Sequence, residues 1–280
     1  MLARVWGCRG TIAAPGPSTV GYGGNTSCVE VRTLDGSVVI LDAGTGARAL
    51  GTTLHEEGVT RIHLLLTHLH LDHLEGLGTF QPIWRPETEL HVWGPASPMH
   101  SLRRRIATYF SPPLFPVHLA TVPARVTFHD APEGDWTIGS ARISSRSIMH
   151  PGPTVGYRIE DGGRSIAYLT DHEPAFASDL LGVGTEWISG FGLARDADVL
   201  IHDCQYTEQE YAVRVGFGHS STEHVATFAR LCDAGRLLLY HHDPMHADPE
   251  LERIRDRVRE LWTEGADRVD LAAEGMVLEV

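Results

Sequence analysis

The sequence contains no lysine: all 23 basic residues among its 280 are arginine. Genome composition accounts for such a bias better than mechanism does. Positive charge is scarce altogether. Thirty-six acidic residues leave a formal net charge of −13, which argues against an extended basic groove for nucleic acid. No apolar run approaches the ~20 residues that a membrane-spanning helix needs. Met1-Leu2-Ala3-Arg4-Val5-Trp6 is too short, and too soon followed by glycines, to read as a signal peptide. Cysteine is sparse. Cys8, Cys28, Cys204 and Cys232 contain no CxxC pair, so neither a zinc knuckle nor a disulfide framework is indicated. The expectation is reduced thiols in a cytoplasmic protein with no membrane segment. Internal repeats, low-complexity tracts and long linkers are also missing, and a single domain over 1–280 is expected.

What is present is a composition for burial, with 42% hydrophobic and 21% charged residues. Short strand-like runs outnumber helical ones. Strands are predicted at Val5–Cys8, Cys28–Arg32, Ser37–Leu41, Ile62–Leu66, Leu90–Trp93, Arg142–Ser147, Val155–Ile159, Ser165–Leu169, Val199–Ile201 and Leu237–Tyr240. Helices are predicted at Ala47–Glu57, Ser97–Tyr109, Ser221–Leu231 and Pro249–Thr263. Hairpin-like stretches mix with strand–helix units, which indicates an α/β fold with mixed sheets packed as a sandwich under outer helices.

Seventeen histidines stand out, and several cluster. Thr67-His68-Leu69-His70-Leu71-Asp72-His73 directly follows a buried-type strand. Three imidazoles and one carboxylate within six residues suit a borderline divalent metal, usually zinc. Alternation sends His68 and His70 one way. Asp72 and His73, past the turn, can face a second ion. One decoy is set aside. Gly44-Thr45-Gly46-Ala47-Arg48-Ala49 matches GxGxxA after a strand, but a dinucleotide fold needs an acidic residue ending the next strand. Here that strand ends in Thr67-His68, so the glycines are read as a tight turn beside the metals.

With these residues the chain resembles the metallo-β-lactamase superfamily over nearly its whole length. The resemblance implies a four-layer αβ/βα sandwich with a two-metal site at one edge. Leu41-Asp42-Ala43-Gly44 looks like the superfamily's first motif, whose Asp supports the site. His150, in Ile148-Met149-His150-Pro151, looks like the third-motif histidine. Asp171, in Thr170-Asp171-His172, looks like the bridging carboxylate, and Leu239-Tyr240-His241-His242 like the last ligand strand. Carried over, one zinc ion would be held by His68, His70 and His150, and the other by Asp72, His73 and His241, with Asp171 bridging. Manganese or iron remain alternatives. His241 and His242 are adjacent. The register of Leu66-Thr67-His68 favours His241 as ligand, leaving His242 behind it or facing substrate.

Two segments resemble the phosphodiesterase branch that includes tRNase Z. Asp203, in Ile201-His202-Asp203, falls on its acidic partner, and His219, in Gly218-His219-Ser220-Ser221, on its loop histidine. The partner is Asp rather than the usual Glu, and Ser221 replaces the expected Thr. Ser220 and Ser221 also suit a helix N-cap. A hydroxide between two metals is a strong nucleophile, because coordination lowers the pKa of water from about 16 to about 7. The leaving alkoxide then needs a proton, which a carboxylate-held His219 can supply. Asp72, His219 and Asp203 are therefore assigned to catalysis. The resemblance also implies a substrate limit. His150 and Asp171 are only 21 positions apart, too few for the tRNA-binding arm that tRNase Z proteins carry there. A small phosphodiester, such as a cyclic nucleotide, is the expected partner. A metal-dependent lactone, thioester or β-lactam hydrolase is the alternative. Arg103-Arg104-Arg105 is read as a solvated helix face. The apolar segment Tyr109–Pro116 reads three ways: a substrate lid stacking a base on Phe110 or Phe115, a homodimer interface, or plain core.

Overall fold

The computed structural model describes residues 1–176 and 180–280. Its strands run, in chain order, β1 (Leu2–Gly7), β2 (Cys28–Arg32), β3 (Val38–Leu41), β4 (Arg61–Leu65), β5 (Glu89–Pro95), β6 (Arg125–Ala131), β7 (Gly134–Ile138), β8 (Ala141–Ser147), β9 (Val155–Asp161), β10 (Arg164–Leu169), β11 (Val199–Asp203), β12 (Arg236–Tyr240), β13 (Val269–Leu271) and β14 (Val277–Glu279). They form two seven-stranded sheets, ordered β14-β1-β2-β3-β4-β5-β6 and β13-β12-β11-β10-β9-β8-β7. Both sheets are mixed. β3 to β6 run parallel in the first, and β10 to β13 in the second. The remaining pairs are antiparallel.

The four-layer arrangement follows from strands that are apolar on both faces. In β3, Val39 and Leu41 face the second sheet and pack near Leu65, Tyr157, Ile166, Tyr168 and Leu238. Val38 and Ile40 face outward, beneath α1 (Ala47–Glu56) and α2 (Leu102–Tyr109). The second sheet repeats this logic. Ala167, Leu169, Leu237 and Leu239 point outward, where Val225 and Phe228 of one helix and Leu251, Ile254 and Val258 of another cover them. Those helices span Thr222–Leu231 and Asp248–Leu261. Between them and α2 the chain makes two short helices, α3 (Phe191–Ala194) and α4 (Glu208–Tyr211), so the long pair are α5 and α6. Ser221 caps α5 by accepting the His224 N–H at 3.2 Å. All four cysteines are buried and free.

The sequence reading overlooks β6, β7, β13 and β14. It also starts α2 too early. The helix opens at Leu102, where Ser101 accepts the Arg104 N–H. No helix of the described residues is long and apolar enough to cross a membrane.

Parallel strands deliver their C-terminal ends to one edge, and this positions the site. Leu41 is level with Leu65, Leu169 with His202, and Asp203 with Tyr240. Asp42, Thr67, Asp171, Asp203 and His241 therefore end or follow neighbouring strands along one rim.

Candidate metal centre

Three of these strand-end residues leave the sheet in the left-handed backbone region: Asp42 (φ 59°), Asp171 (φ 52°) and His241 (φ 59°). That conformation is uncommon for residues with a Cβ and is tolerated where surrounding contacts hold it. Here it turns each side chain sharply back over the edge of the sandwich. The turn at His68–His73 does the same for the histidine cluster, and a hairpin of β9 and β10 separates His150 from Asp171.

The candidate donors fall into two groups that share Asp171: His68, His70 and His150 in one, and Asp72, His73 and His241 in the other. Within each group the donor atoms lie within 4.8 Å of one another. Asp171 Oδ1 is 3.7 Å from His68 Nε2 and 3.9 Å from His150 Nε2. Its Oδ2 is 3.1 Å from His73 Nε2 and 3.2 Å from His241 Nε2. One carboxylate thus presents one oxygen to each group. Asp72 Oδ2 lies 3.2 Å from both His73 and His241 Nε2. Burial would raise the Asp171 pKa, but His241, His73 and His68 outweigh it and hold the carboxyl well below its usual range. His68 Nε2 and His73 Nε2 are buried without hydrogen-bond partners, a costly state unless a cation takes their lone pairs. Nitrogen-rich donors with carboxylate oxygens fit a borderline divalent metal.

The other ring nitrogens are engaged, which orients the rings. His73 donates Nδ1–H to Asp42 Oδ2 at 2.8 Å, and His150 donates Nδ1–H to the Gly218 carbonyl at 2.9 Å. His241 donates Nδ1–H to Gln205 Oε1 at 2.9 Å. Asp42 is fully buried and also accepts from the Thr67 N–H at 2.7 Å and from Tyr168 OH at 3.0 Å. The Thr11 N–H donates to Asp72 Oδ2 at 2.7 Å, and Thr11 is itself left-handed (φ 66°). Gly10 lets this loop approach, because a Cβ there would lie 2.4 Å from the His241 ring.

His219 stands above the cluster. Its ring stacks on His241 at 5.0 Å and meets His150 edge-on at 5.2 Å. Nδ1 donates to Asp203 Oδ2 at 2.7 Å, while Nε2 has no hydrogen-bond partner among the described residues. Burial would lower the His219 pKa, yet the Asp203 charge and hydrogen bond outweigh it and hold it at about 9. Asp203 Oδ1 also accepts the Ser220 N–H at 2.8 Å. The Asp203–His219–His241 group satisfies donor proximity too. Because Asp203 is already engaged by the His219 ring, we read it as an ion-paired unit rather than a third donor set. Sequence reasoning missed Glu173, which is fully buried. Its carboxylate accepts from Tyr211 OH at 2.6 Å, Gly216 N–H at 3.0 Å and Gly218 N–H at 3.0 Å. It braces the loop that carries His219. Gln205, Thr11 and Gly10 were missed as well, since no local pattern marks them.

Two sequence expectations need correction, and of the readings left open for Tyr109–Pro116 the structure favours core for Phe110. The buried His242 side chain turns away from the donor cluster. Its Nε2 donates to the Ala272 carbonyl at 2.9 Å, and its ring packs edge-on to Tyr22. Phe110 cannot offer a free face to a base, and Phe115 packs against it. Phe110 is fully buried, the two rings pack at 4.4 Å, and Trp84 covers both. In the arginine run, Arg103 and Arg104 are exposed, but Arg105 is half-buried and lines a cavity beside His68 and His70. The glycines of the GxGxxA match serve packing. A Cβ at Gly44 would lie 2.2 Å from the Asp72 carbonyl oxygen, and one at Gly46 2.5 Å from that of Trp6.

Similarity to known proteins agrees with this architecture. A ribonuclease Z from Streptococcus suis (strain 98HAH33) is 25% identical over 285 residues, covering 82% of this chain and 88% of its own length. The metallo-beta-lactamase fold protein YhfI from Bacillus subtilis superposes with a TM-score of 0.72 at 18% identity, covering 100% of this chain and 98% of that one. A diphosphatase from the PhnP family does so with a TM-score of 0.69 at 20% identity, covering 100% and 97%. The family model described as a beta-lactamase superfamily domain matches residues 38–242, a span that runs from β3 through both donor groups to His242, and the chain belongs to that superfamily.

Proposed function

We propose that this enzyme is a dinuclear metal-dependent hydrolase of a small phosphodiester. His68, His70 and His150 would hold one divalent ion, Asp72, His73 and His241 the other, and Asp171 would join them. Zinc suits this donor set best. When bound, such ions supply an activated water and positive charge for the phosphoryl oxygens. The protein's own part centres on His219. A phosphodiester expels an alkoxide, which leaves poorly unless protonated, and a carboxylate-held imidazolium is a suitable donor. The observation that carries the reading is the Asp203–His219 pair at 2.7 Å, with the His219 ring stacked over His241. A lactone, thioester or β-lactam hydrolase has less need of such a pair beside its metals.

Relatives named ribonuclease Z and a neighbour named diphosphatase support phosphate-ester chemistry. A small substrate is favoured by the net charge of −13 and by the compact β9–β10 hairpin between His150 and Asp171. The test is metal-loaded protein offered bis(p-nitrophenyl) phosphate, cyclic nucleotides, nitrocefin and a lactone. Turnover of the phosphodiesters without turnover of nitrocefin or lactone is expected. The opposite selectivity would overturn the assignment.

A further inference from the structure

The cavity beside the histidine cluster has a volume of about 360 Å³, within the range of small-molecule sites. Its lining brings His68 and His70 together with Ser97, Arg105, Thr108 and the Pro151-Gly152-Pro153 turn. A phosphodiester on the metal donors would bring another part of the same substrate within reach of this cavity. This inference therefore rests on the reading above.

Arg105 is the arginine in that lining. Its Nη2 donates to the Pro95 carbonyl, which ties α2 to the end of β5. Nε is buried without a partner. No carboxylate among the described residues lies within ion-pair distance of it. Asp130 acts on it only at longer range. What sets Arg105 apart is its place: a guanidinium without a carboxylate lines a cavity beside candidate ligands and offers an anion a partner there. Ser97 adds a hydroxyl. Its Oγ accepts the Met99 N–H at 3.3 Å, so its own proton remains available.

We propose that Arg105 is a specificity residue that recognises a second anionic group on the substrate, separate from the phosphodiester that is cleaved. A guanidinium fork matches a phosphate or carboxylate in shape and charge. The cavity thereby selects a phosphodiester whose sugar or alcohol portion carries a further negative charge. Neutral esters of the same size would leave Arg105 desolvated and unpaired.

The test uses metal-loaded protein and two product-like probes that differ by one phosphate, thymidine 5′-monophosphate and thymidine 3′,5′-bisphosphate. Adenosine 2′,5′-bisphosphate and adenosine 5′-monophosphate repeat the comparison with the extra phosphate at another position. Dissociation constants are measured by calorimetry in the parent, Arg105→Gln and Ser97→Asp. The parent is expected to prefer at least one bisphosphate by roughly 10- to 100-fold, the range for a charge-assisted hydrogen bond. Arg105→Gln should collapse that ratio towards one. Ser97→Asp, which leaves the Pro95 bond alone, should lower it by repulsion and decides the matter should Arg105→Gln fold poorly. Equal affinities in the parent, or a ratio unchanged in both variants, would overturn the proposal. Failure to hydrolyse any phosphodiester would instead reject the functional reading, because the binding arms do not depend on turnover.

Discussion

The carboxylate of Glu173 accepts the backbone N–H of Gly218 at 3.0 Å, one residue before His219. The same carboxylate takes Gly216 N–H and Tyr211 OH, while the Gly218 carbonyl accepts from His150. One buried side chain thus spans the candidate general acid and a candidate ligand. Glu173→Gln keeps the shape but turns an amide NH₂ towards donors that need an acceptor. The expected cost is about 1–3 kcal/mol, that of a buried group left unsatisfied. Chemical denaturation would measure it. Hydrogen exchange should locate new mobility at 211–218. A loss of stability without faster exchange there would show that Glu173 acts elsewhere.

The donor geometry predicts how metal is lost. Elemental analysis of protein purified without chelator should approach two equivalents per chain. Asp171→Ala should empty both positions, since each oxygen of Asp171 faces a different group. Asp72→Ala should preferentially empty one. His241→Ala should lower metal content, whereas His242→Ala should retain it and lose stability through the Ala272 hydrogen bond. Stripping metal should lower the melting temperature of the parent, because ligands that bind only the folded state stabilise it by mass action. A stable value of one equivalent after supplementation would contradict the shared carboxylate.

A pH effect is expected away from the centre. His63 on β4 stacks on His91 of β5 at 4.8 Å, and His91 Nδ1 lies 3.1 Å from His129 Nε2 on β6. Burial, with the neighbouring His91 and Arg61, lowers the His63 pKa from 6.5 to about 4. The unfolded chain therefore binds this proton more readily than the native one. His63 contributes its full share of stability above pH 6.5 and loses it as pH falls from 6.5 towards 4. His63→Leu should lose less stability than the parent between pH 7 and pH 5. Urea titrations at both values, with metal content matched, read this difference. A larger loss in the variant would reverse the sign.

Much of the candidate centre was legible because its candidate ligands sit where local sequence is informative. HxHxDH follows an apolar strand, and Asp42, Asp171 and His241 each follow another. Parallel register brings such strand ends together without any knowledge of contacts. The rest was hidden for physical reasons. β13 and β14 have three residues each, too few to show a period. Phe110 and Phe115 look alike in sequence whether they line a lid or pack against Trp84. Arg105 differs from Arg103 and Arg104 only by its place on the turn of α2. Glu173, Gln205 and Thr11 act through partners 30 to 60 positions away or more, and no spacing rule reports that.

The role of His219 can be read from the leaving group. A p-nitrophenolate departs readily at neutral pH, whereas a ribose alkoxide needs a proton. His219→Ala should therefore retain substantial activity on bis(p-nitrophenyl) phosphate. On an alkyl or nucleoside phosphodiester it should lose roughly 10²–10⁴-fold, the range for general acid catalysis. Asp203→Asn should show the same pattern more mildly. It removes the charge that holds the imidazole protonated, and the 2.7 Å contact to Nδ1 can persist with the amide oxygen. Metal content should be unchanged in both, since His219 belongs to neither donor group that shares Asp171. Equal losses on both substrate types would assign His219 to substrate binding or loop structure. Full activity on both would remove the main reason for preferring a phosphodiesterase to a lactone- or thioester-cleaving hydrolase.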